Sequence, residues 1–210
     1  MDKQDIKNLV GNEDPVFFEI GANNGSDTQG FLDLFKHGNF YCFEPDPRAW
    51  IKLNKNINDP RCKKYQLAIS NKCELVDFNM SDGQPDDWPE QVGGWDFSGS
   101  IKKPKLHLER HPWCKFERTV KINTITLDKF CENNSIDYID YMHADTQGAE
   151  RELIEGGRYI LSKTKYLYTE YSNEELYEGE IGLQEILKML PNFVMVRDFG
   201  GDVLLKNRNL

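Results

Sequence analysis

The sequence predicts a doubly wound α/β fold, a mostly parallel sheet with helices on both faces, on three observations. The run Val16-Phe17-Phe18-Glu19-Ile20 reads as a buried strand that breaks at once into Gly21-Ala22-Asn23-Asn24-Gly25-Ser26. Phe31, Leu32, Leu34 and Phe35 then recur with helical spacing. Phe40-Tyr41-Cys42-Phe43 is a second short apolar strand, closed by Glu44-Pro45-Asp46-Pro47. Further apolar runs, several ending in acids, alternate with helical patterns to the end of the chain. Folds of this order bind ligands at the carboxyl ends of their strands.

Within the first unit, Gly21 permits a sharp turn and Gly25 lets backbone approach a ligand closely. Glu19 is the one charge inside an apolar strand and is costly there unless paired. A ligand ammonium group would pair with it; the plain alternative is a solvated carboxylate. The dinucleotide pattern G-x-G-x-x-G is absent, because Asn23 stands where the middle Gly belongs. That argues against NAD and for a less closely gripped nucleoside. Glu44, 19 residues after Gly25, falls where the second strand of such a fold places a carboxylate on ribose hydroxyls.

A chain of 210 residues can bury a sizeable core, and its formal charge of −9 disfavours general nucleic-acid or membrane-surface binding. No segment approaches transmembrane length, and Met1-Asp2-Lys3-Gln4-Asp5 has no signal-peptide pattern. The five cysteines form no C-x-x-C pair, so neither a zinc site nor a disulfide framework is indicated. Reduced thiols in a cytoplasmic compartment are the expectation.

A short helix over residues 2–10 precedes the first strand, joined to it by the turn at Gly11-Asn12-Glu13-Asp14-Pro15. Asp46 can cap a helix carrying Trp50, Ile51, Leu53 and Ile57, and Thr126 one carrying Leu127, Phe130 and Cys131. Strands are predicted over 65–70, 75–80, 119–125, 138–145 and 166–171. A helix with Leu153, Ile154, Tyr159 and Ile160 follows the fourth of these, and one with Leu183, Ile186, Leu187 and Leu190 the fifth. Gly200-Gly201 then turns Phe193-Val194-Met195-Val196 into Val203-Leu204-Leu205, a hairpin that would put an antiparallel strand at the sheet edge.

From Ser81 to about Trp113 the regular pattern fails. Gly83, Pro85, Pro89, Gly93, Gly94, Gly99 and Pro104 forbid long elements, while Trp88, Trp95, Phe97 and Trp113 are too apolar for a free linker. Long irregular segments inside a domain are usually binding walls, and such aromatics suit stacking on a sugar; a satellite core is the other reading. Residues 102–121 carry seven Lys or Arg against two Glu. This is either a local field for an anionic substrate or a solvated face.

Glu19, Glu44, Asp145 and Glu170 all stand at predicted strand tips, where one parallel sheet would line them along a single crevice. His143 and Asp145 are two apart and would share a face, giving a general base near neutral pH. Asp145 with Glu170 can instead hold a hard divalent cation. Each has a plain alternative: an interior His143, an Asp145 that caps the next helix, a Glu170 paired with Lys or Arg. His111, in the loop peptide His111-Pro112-Trp113, is placed to touch substrate.

Phe18-Glu19-Ile20-Gly21-Ala22-Asn23-Asn24-Gly25, Phe43-Glu44-Pro45, Ala68-Ile69-Ser70, Ser98-Gly99-Ser100, Thr126-Leu127-Asp128 and Asp145-Thr146-Gln147-Gly148-Ala149-Glu150 follow one another in the order and spacing of a known family. The sequence resembles, from about residue 16 to 200, the FkbM family of S-adenosylmethionine-dependent methyltransferases. The resemblance implies a class I methyltransferase (Rossmann-like) fold with a seven-stranded sheet, one domain over 1–210, and an acceptor-facing insertion at about 81–118. It implies O-methylation of a sugar or glycan hydroxyl, deoxysugars included. The alternatives are a polyketide-like small molecule, a nucleic acid reached through the basic loop, or a non-catalytic module that keeps the fold. A dinucleotide or nucleotide-sugar enzyme on a similar sheet matches the later motifs poorly.

Carried over residue by residue, Glu19, Gly21, Ala22, Asn23, Asn24 and Ser26 surround the methionine part of the cofactor. Glu44 and Pro45 bind the ribose, and Ala68 and Ser70 border the adenine. Asp145, Glu170 and Glu150 line the acceptor side; Ser98 and Ser100, from the Ser98-Gly99-Ser100 motif, and the loop residues His111 and Trp113 are expected to contact the acceptor as well. The family usually has Lys two positions before the Asp, and here it is His143. The expected mechanism is direct displacement, with Asp145 or His143 removing the hydroxyl proton and a bound cation as the weaker option.

Overall fold

A computed structural model describes residues 3–85, 88 and 93–210. The readings that touch Met1, Asp2 and Pro89 lie outside the described residues.

Helix α1 (Lys3–Val10) leads into strand β1 (Val16–Ile20), α2 (Ser26–Leu34), β2 (Asn39–Phe43), α3 (Pro47–Asn56) and β3 (Cys62–Tyr65). The short β4 (Ala68–Ile69), β5 (Leu75–Gly83), α4 (His107–Arg110), β6 (Cys114–Ile125) and α5 (Leu127–Asn133) follow. The chain ends through β7 (Ile139–Ala144), α6 (Glu150–Gly156), α7 (Arg158–Leu161), β8 (Thr164–Glu170), α8 (Leu183–Met189), β9 (Phe193–Asp198) and β10 (Asp202–Asn207).

Seven strands form one sheet in the order β3-β2-β1-β7-β8-β10-β9. All pairings are parallel except those of β10, which runs antiparallel to both β8 and β9. This is the class I methyltransferase fold. The antiparallel strand therefore sits one place in from the edge, not at it. Its residues Val203, Leu204 and Leu205 are fully buried, whereas five of the six residues of β9 are exposed, which suits β9 to the outer position.

Alternation along the strands divides the core in two. Phe18, Ile20, Met142 and Ala144 pack with α5 to α8 on one face, and Phe17 and Tyr141 with α1, α2 and α3 on the other. Local chemistry holds the helices as predicted at two caps. The Asp46 carboxylate accepts from Arg48 N at 2.8 Å, and the Thr126 hydroxyl accepts from Lys129 N at 3.1 Å.

Three predicted strands do not join the main sheet as drawn. Residues 65–70 split between β3 and β4, and β4, β6 and β5 make a separate three-stranded sheet over a small core of Ala68, Phe78, Met80 and Ile122. The β5–β6 ladder extends to Gly83 and Cys114, past the alternating residues that announce it. The helix predicted through Leu153 and Ile160 is broken at Gly156 and Gly157 into α6 and α7. A Cβ on Gly156 would lie 2.1 Å from the Ser70 carbonyl oxygen, so only glycine lets these segments meet.

Candidate active site

Strand order reverses between β1 and β7, and the crevice opens there. Gly21 N and Ala22 N both donate to the Phe43 carbonyl at 2.9 Å, while Asp145 N donates to the Ile20 carbonyl at 2.9 Å. Gly21 has φ +86°, and a Cβ on it would lie 2.0 Å from the Asp145 carbonyl oxygen. Glycine is required on both counts.

A cavity of about 620 Å³, counting its open mouth, lies over this turn. Ile20, Ile69 and Phe78 supply apolar wall, and Asn23, Glu44, Asp96 and Asp145 supply polar groups. Glu44, 5 % exposed, accepts from Asn23 N and Asp46 N, each at 2.7 Å. Burial pushes its carboxyl up to about 8 against those two hydrogen bonds. Asp96 is paired through Oδ2 with Lys52 at 2.7 Å, while its buried Oδ1 has no hydrogen-bond partner among the described residues. The cavity thus offers unspent acceptor oxygens to hydroxyl or amino groups, which fits a nucleoside.

A second cavity of about 770 Å³ lies beyond the turn after β7 and is lined by Ser98, His107, His111, Glu150, Glu170 and Tyr177 among others. Gln147 borders both cavities. Its Nε2 donates to Asp145 Oδ1 at 2.6 Å and to Glu170 Oε2 at 2.9 Å. The Tyr177 hydroxyl lies 3.1 Å from Gln147 Oε1 and 2.8 Å from the Ser98 carbonyl, and the Ser100 hydroxyl donates to the Gln147 carbonyl at 2.7 Å. Burial, then the neighbouring Asp145 carboxylate, hold the Glu170 carboxyl well above the ordinary range. Burial likewise raises Glu150 to about 7, although Thr146 donates to it at 2.8 Å.

The sequence-predicted residues distribute unevenly over this geometry. Gly21, Asn23, Glu44, Pro45, Ala68, Asp145 and Ser100 line the first cavity, and Glu170, Glu150, Ser98 and His111 the second. Both serine hydroxyls are spent on the fold, Ser98 accepting from Trp95 Nε1 at 2.9 Å. Glu19, Ala22, Asn24, Ser26 and Ser70 are not brought to either cavity, nor are His143 and Trp113. Glu19 alternates with Ile20 and faces the α2 side, where Thr28 Oγ1 donates to it at 2.5 Å. Gly25 faces Leu53 of α3 and Ile57 just beyond its end, not a ligand. Trp113 meets Trp95 edge-to-face, inside an aromatic satellite cluster with Trp88 and Phe97; of these four only Phe97 reaches the first cavity.

His143 and Asp145 do not share a face. Strand β7 ends at Ala144, so the period-two rule lapses before Asp145, which turns over the β1 end toward the cavity. His143 remains in register with Glu19, its Nδ1 3.9 Å from that carboxylate. Together with Asp27 they form a group of metal-ligating types within 4.8 Å, on the α2 side and apart from both cavities. Asp145 caps no helix, since α6 starts at Glu150 behind Ala149. Glu170 has the Gln147 amide and Asp145 for neighbours, not a Lys or Arg.

Asp96, Gln147, Tyr177 and His107 escaped the functional reading. Gln147 was visible in the Asp145-to-Glu150 motif; Asp96 and Tyr177 sit on irregular segments, and His107 opens the four-residue α4, too short to give a periodic signal.

The basic loop is largely neutralised. Lys102 pairs with Glu152 at 2.6 Å, Arg118 with Asp82 at 3.1 Å and Lys121 with Asp77 at 3.0 Å; Lys105 pairs with Glu175 and Arg110 with Glu174. Among the described residues no helix is long and apolar enough to cross a membrane.

Comparison with known proteins adds three findings. Residues 19–200 match the methyltransferase FkbM domain. The chain is 41% identical over 210 residues to the 2-O-methyltransferase NoeI of Sinorhizobium fredii (strain NBRC 101917 / NGR234), covering 98% of this chain and 84% of the relative. Among solved structures it resembles the Methanococcus jannaschii fibrillarin pre-rRNA processing protein, with 12% identity, a TM-score of 0.49, and 94% of this chain and 68% of that one covered. Aeropyrum pernix fibrillarin, solved with natively bound S-adenosyl-L-methionine, gives 12% and 0.47, covering 94% and 67%. At that distance a structural likeness carries no argument about acceptor. The domain match and the NoeI identity do carry one about family: the chain belongs to the FkbM methyltransferase family and is a methyltransferase whose cofactor is S-adenosylmethionine.

Proposed function

We propose that this enzyme methylates a hydroxyl oxygen of a sugar or glycan, as one domain whose segment 81–118 helps wall the acceptor cavity. One observation carries the reading. Gln147 stands between the two cavities and binds Asp145 on one side and Glu170 on the other, so a nucleoside-sized space and an acceptor-sized space meet at a carboxylate pair. The 2-O-methyltransferase relative supports oxygen as the target.

In this reading Glu44 accepts from the ribose hydroxyls while Asn23 N and Asp46 N keep its carboxylate in place. Asp96 Oδ1 is a second acceptor for the donor's polar groups. Bound S-adenosylmethionine supplies a methyl group already activated on a sulfonium sulfur. The protein's part is to align the acceptor oxygen and to take its proton. Glu170, kept protonated by burial and by Asp145, leaves the Asp145 carboxylate to accept that proton as the oxygen–carbon bond forms and the carbon–sulfur bond breaks. His143 is a residue of the opposite face in this scheme, and the Gln147 N–H already fills the position between Asp145 and Glu170 that a bridging cation would need.

The test is methyl transfer from isotopically labelled S-adenosylmethionine to a panel of mono- and oligosaccharides, with single-stranded RNA and a polyketide alcohol alongside. Label on a sugar oxygen is the expected result. Label only on RNA or the polyketide, from protein that binds S-adenosylhomocysteine, sinks the sugar assignment.

A further inference from the structure

The second cavity has a charge problem that bears on what can enter it. Four of its lining residues are carboxylates, Glu150, Glu170, Glu180 and Asp202, and none is Lys or Arg. Burial is the first cause that raises all four, and each is raised further by at least one neighbouring carboxylate. His107 adds no positive charge, because burial and His111 push it down to about 4. The cations nearest in sequence are spent outside the cavity, Lys102 on Glu152, Lys105 on Glu175 and Arg110 on Glu174.

A second observation shows that this space is built for a polar ligand. Glu150 and His107 both line the cavity, 2 % and 5 % exposed as residues, and their buried atoms Glu150 Oε2 and His107 Nδ1 have no hydrogen-bond partner among the described residues. Buried polar atoms are seldom left so. A carboxylate oxygen and a neutral imidazole nitrogen on one wall suit the hydroxyl groups of a neutral ring, each of which can donate.

We propose that the acceptor enters this cavity as a sugar bearing no phosphate, so that the step supplying the substrate is a glycosyl transfer that has already removed the activating diphosphate. The proposal rests on the sugar reading above. A phosphate here finds four acidic side chains and no Lys or Arg among the lining residues, so it gains no cationic partner and meets like charge wherever a carboxyl is ionised. A hydroxyl-bearing ring meets acceptors it can satisfy. Methylation of the nucleoside-diphosphate sugar itself is therefore disfavoured.

The experiment compares matched acceptors: methyl glycosides of a hexose and 6-deoxyhexose panel, the 1-phosphates of the same sugars, and their nucleoside-diphosphate forms. S-adenosylhomocysteine release is followed at saturating S-adenosylmethionine. The expected kcat/KM is at least tenfold higher for a glycoside than for either phosphorylated form. That ratio should fall at least threefold in the variant combining Glu180→Gln and Asp202→Asn. In the wild type, which needs no variant to fold, the ratio should also fall as salt rises from 50 to 500 mM. Phosphorylated sugars turned over as well as glycosides, or a ratio indifferent to both salt and charge removal, overturn the proposal. No turnover of any sugar form, with S-adenosylhomocysteine still bound, instead removes the reading beneath it.

Discussion

Glu44 and Glu170 make an instructive pair. Both follow or close an apolar strand, both are buried, and burial pushes both carboxyls upward. Their neighbours differ. Glu44 receives two backbone N–H groups, from Asn23 and Asp46, that hold its oxygens in place. Glu170 receives one side-chain amide and lies against the carboxylate of Asp145. The first environment suits holding a neutral hydroxyl donor; the second suits moving a proton, because two adjacent carboxylates hold one proton far more readily than none. Position at a strand tip selects residues for the crevice, and the donors around each one select its work.

The sharpest way to break this comparison is to remove the proton acceptor. Asp145→Asn keeps the shape and is expected to lower kcat about 10²–10⁴-fold, the usual contribution of a general base, with S-adenosylhomocysteine affinity little changed. His143→Gln, on the Glu19 side of the sheet, should lower kcat by less than about threefold. Steady-state kinetics of the two variants decide between them. If the losses are reversed, the base is His143 and the pair reading fails.

The next effect belongs to Glu44. Glu44→Gln should weaken S-adenosylhomocysteine binding by about 1.5–3 kcal/mol, the range for a hydrogen bond to a charged group, measured by calorimetric titration. Unchanged affinity would put the ribose elsewhere. Glutamine is preferred to alanine because it keeps the side chain's shape and one acceptor oxygen, enough for Asn23 N or Asp46 N but not for both.

The titration of these groups gives a third test. Glu44 rises from 4.5 to about 8 and Glu150 from 4.5 to about 7, so between those limits the folded protein holds protons that the unfolded chain has released. Their stabilising contribution is complete below 4.5 and is lost as pH rises through 7 to 8, by about 1.4 kcal/mol per pH unit per titrating group. His107, lowered from 6.5 to about 4, acts in the opposite sense only below 6.5. Denaturant unfolding of the ligand-free protein should therefore show its steepest loss of stability above pH 6.5. Glu44→Gln should flatten that loss. S-adenosylhomocysteine should flatten it too, since hydroxyls donating to Glu44 favour its anion.

How much of this was legible before the fold divides along the same line. The donor side was, because its signals are local: an apolar run, a glycine turn with Asn23, and an acid before Pro45 are contiguous in the chain. Gly25 was misassigned because a positive-φ glycine looks the same in sequence whether it faces a ligand or, as here, the side chains of Leu53 and Ile57. His143 and Asp145 were paired by a period that stops where β7 stops. The second sheet was missed for a similar reason. Residues 65–70, 75–80 and 119–125 alternate like any half-buried strand, and alternation says nothing about which sheet a strand joins. Asp96, His107, Glu180 and Asp202 reach the cavities from irregular segments or from the first residue of a short helix or a strand, and no periodicity marks a loop's destination.

The smallest expected effect tests the basic loop, the one sequence feature that pointed toward a polyanion. In the folded protein five of its seven cations are paired, with Glu152, Glu175, Glu174, Asp82 and Asp77. Each exposed pair contributes only about 0–1 kcal/mol to stability, yet together they cancel the field the sequence implied. Turnover of a neutral glycoside should then change by less than about twofold between 50 and 200 mM salt, because no counterions are displaced. An acceptor held through six to ten phosphates would lose about 10³–10⁵ in affinity over the same range. A steep salt dependence would mean that these pairs open to take an anion, and the reading of the acceptor cavity as one that offers a phosphate no cation would fall with them.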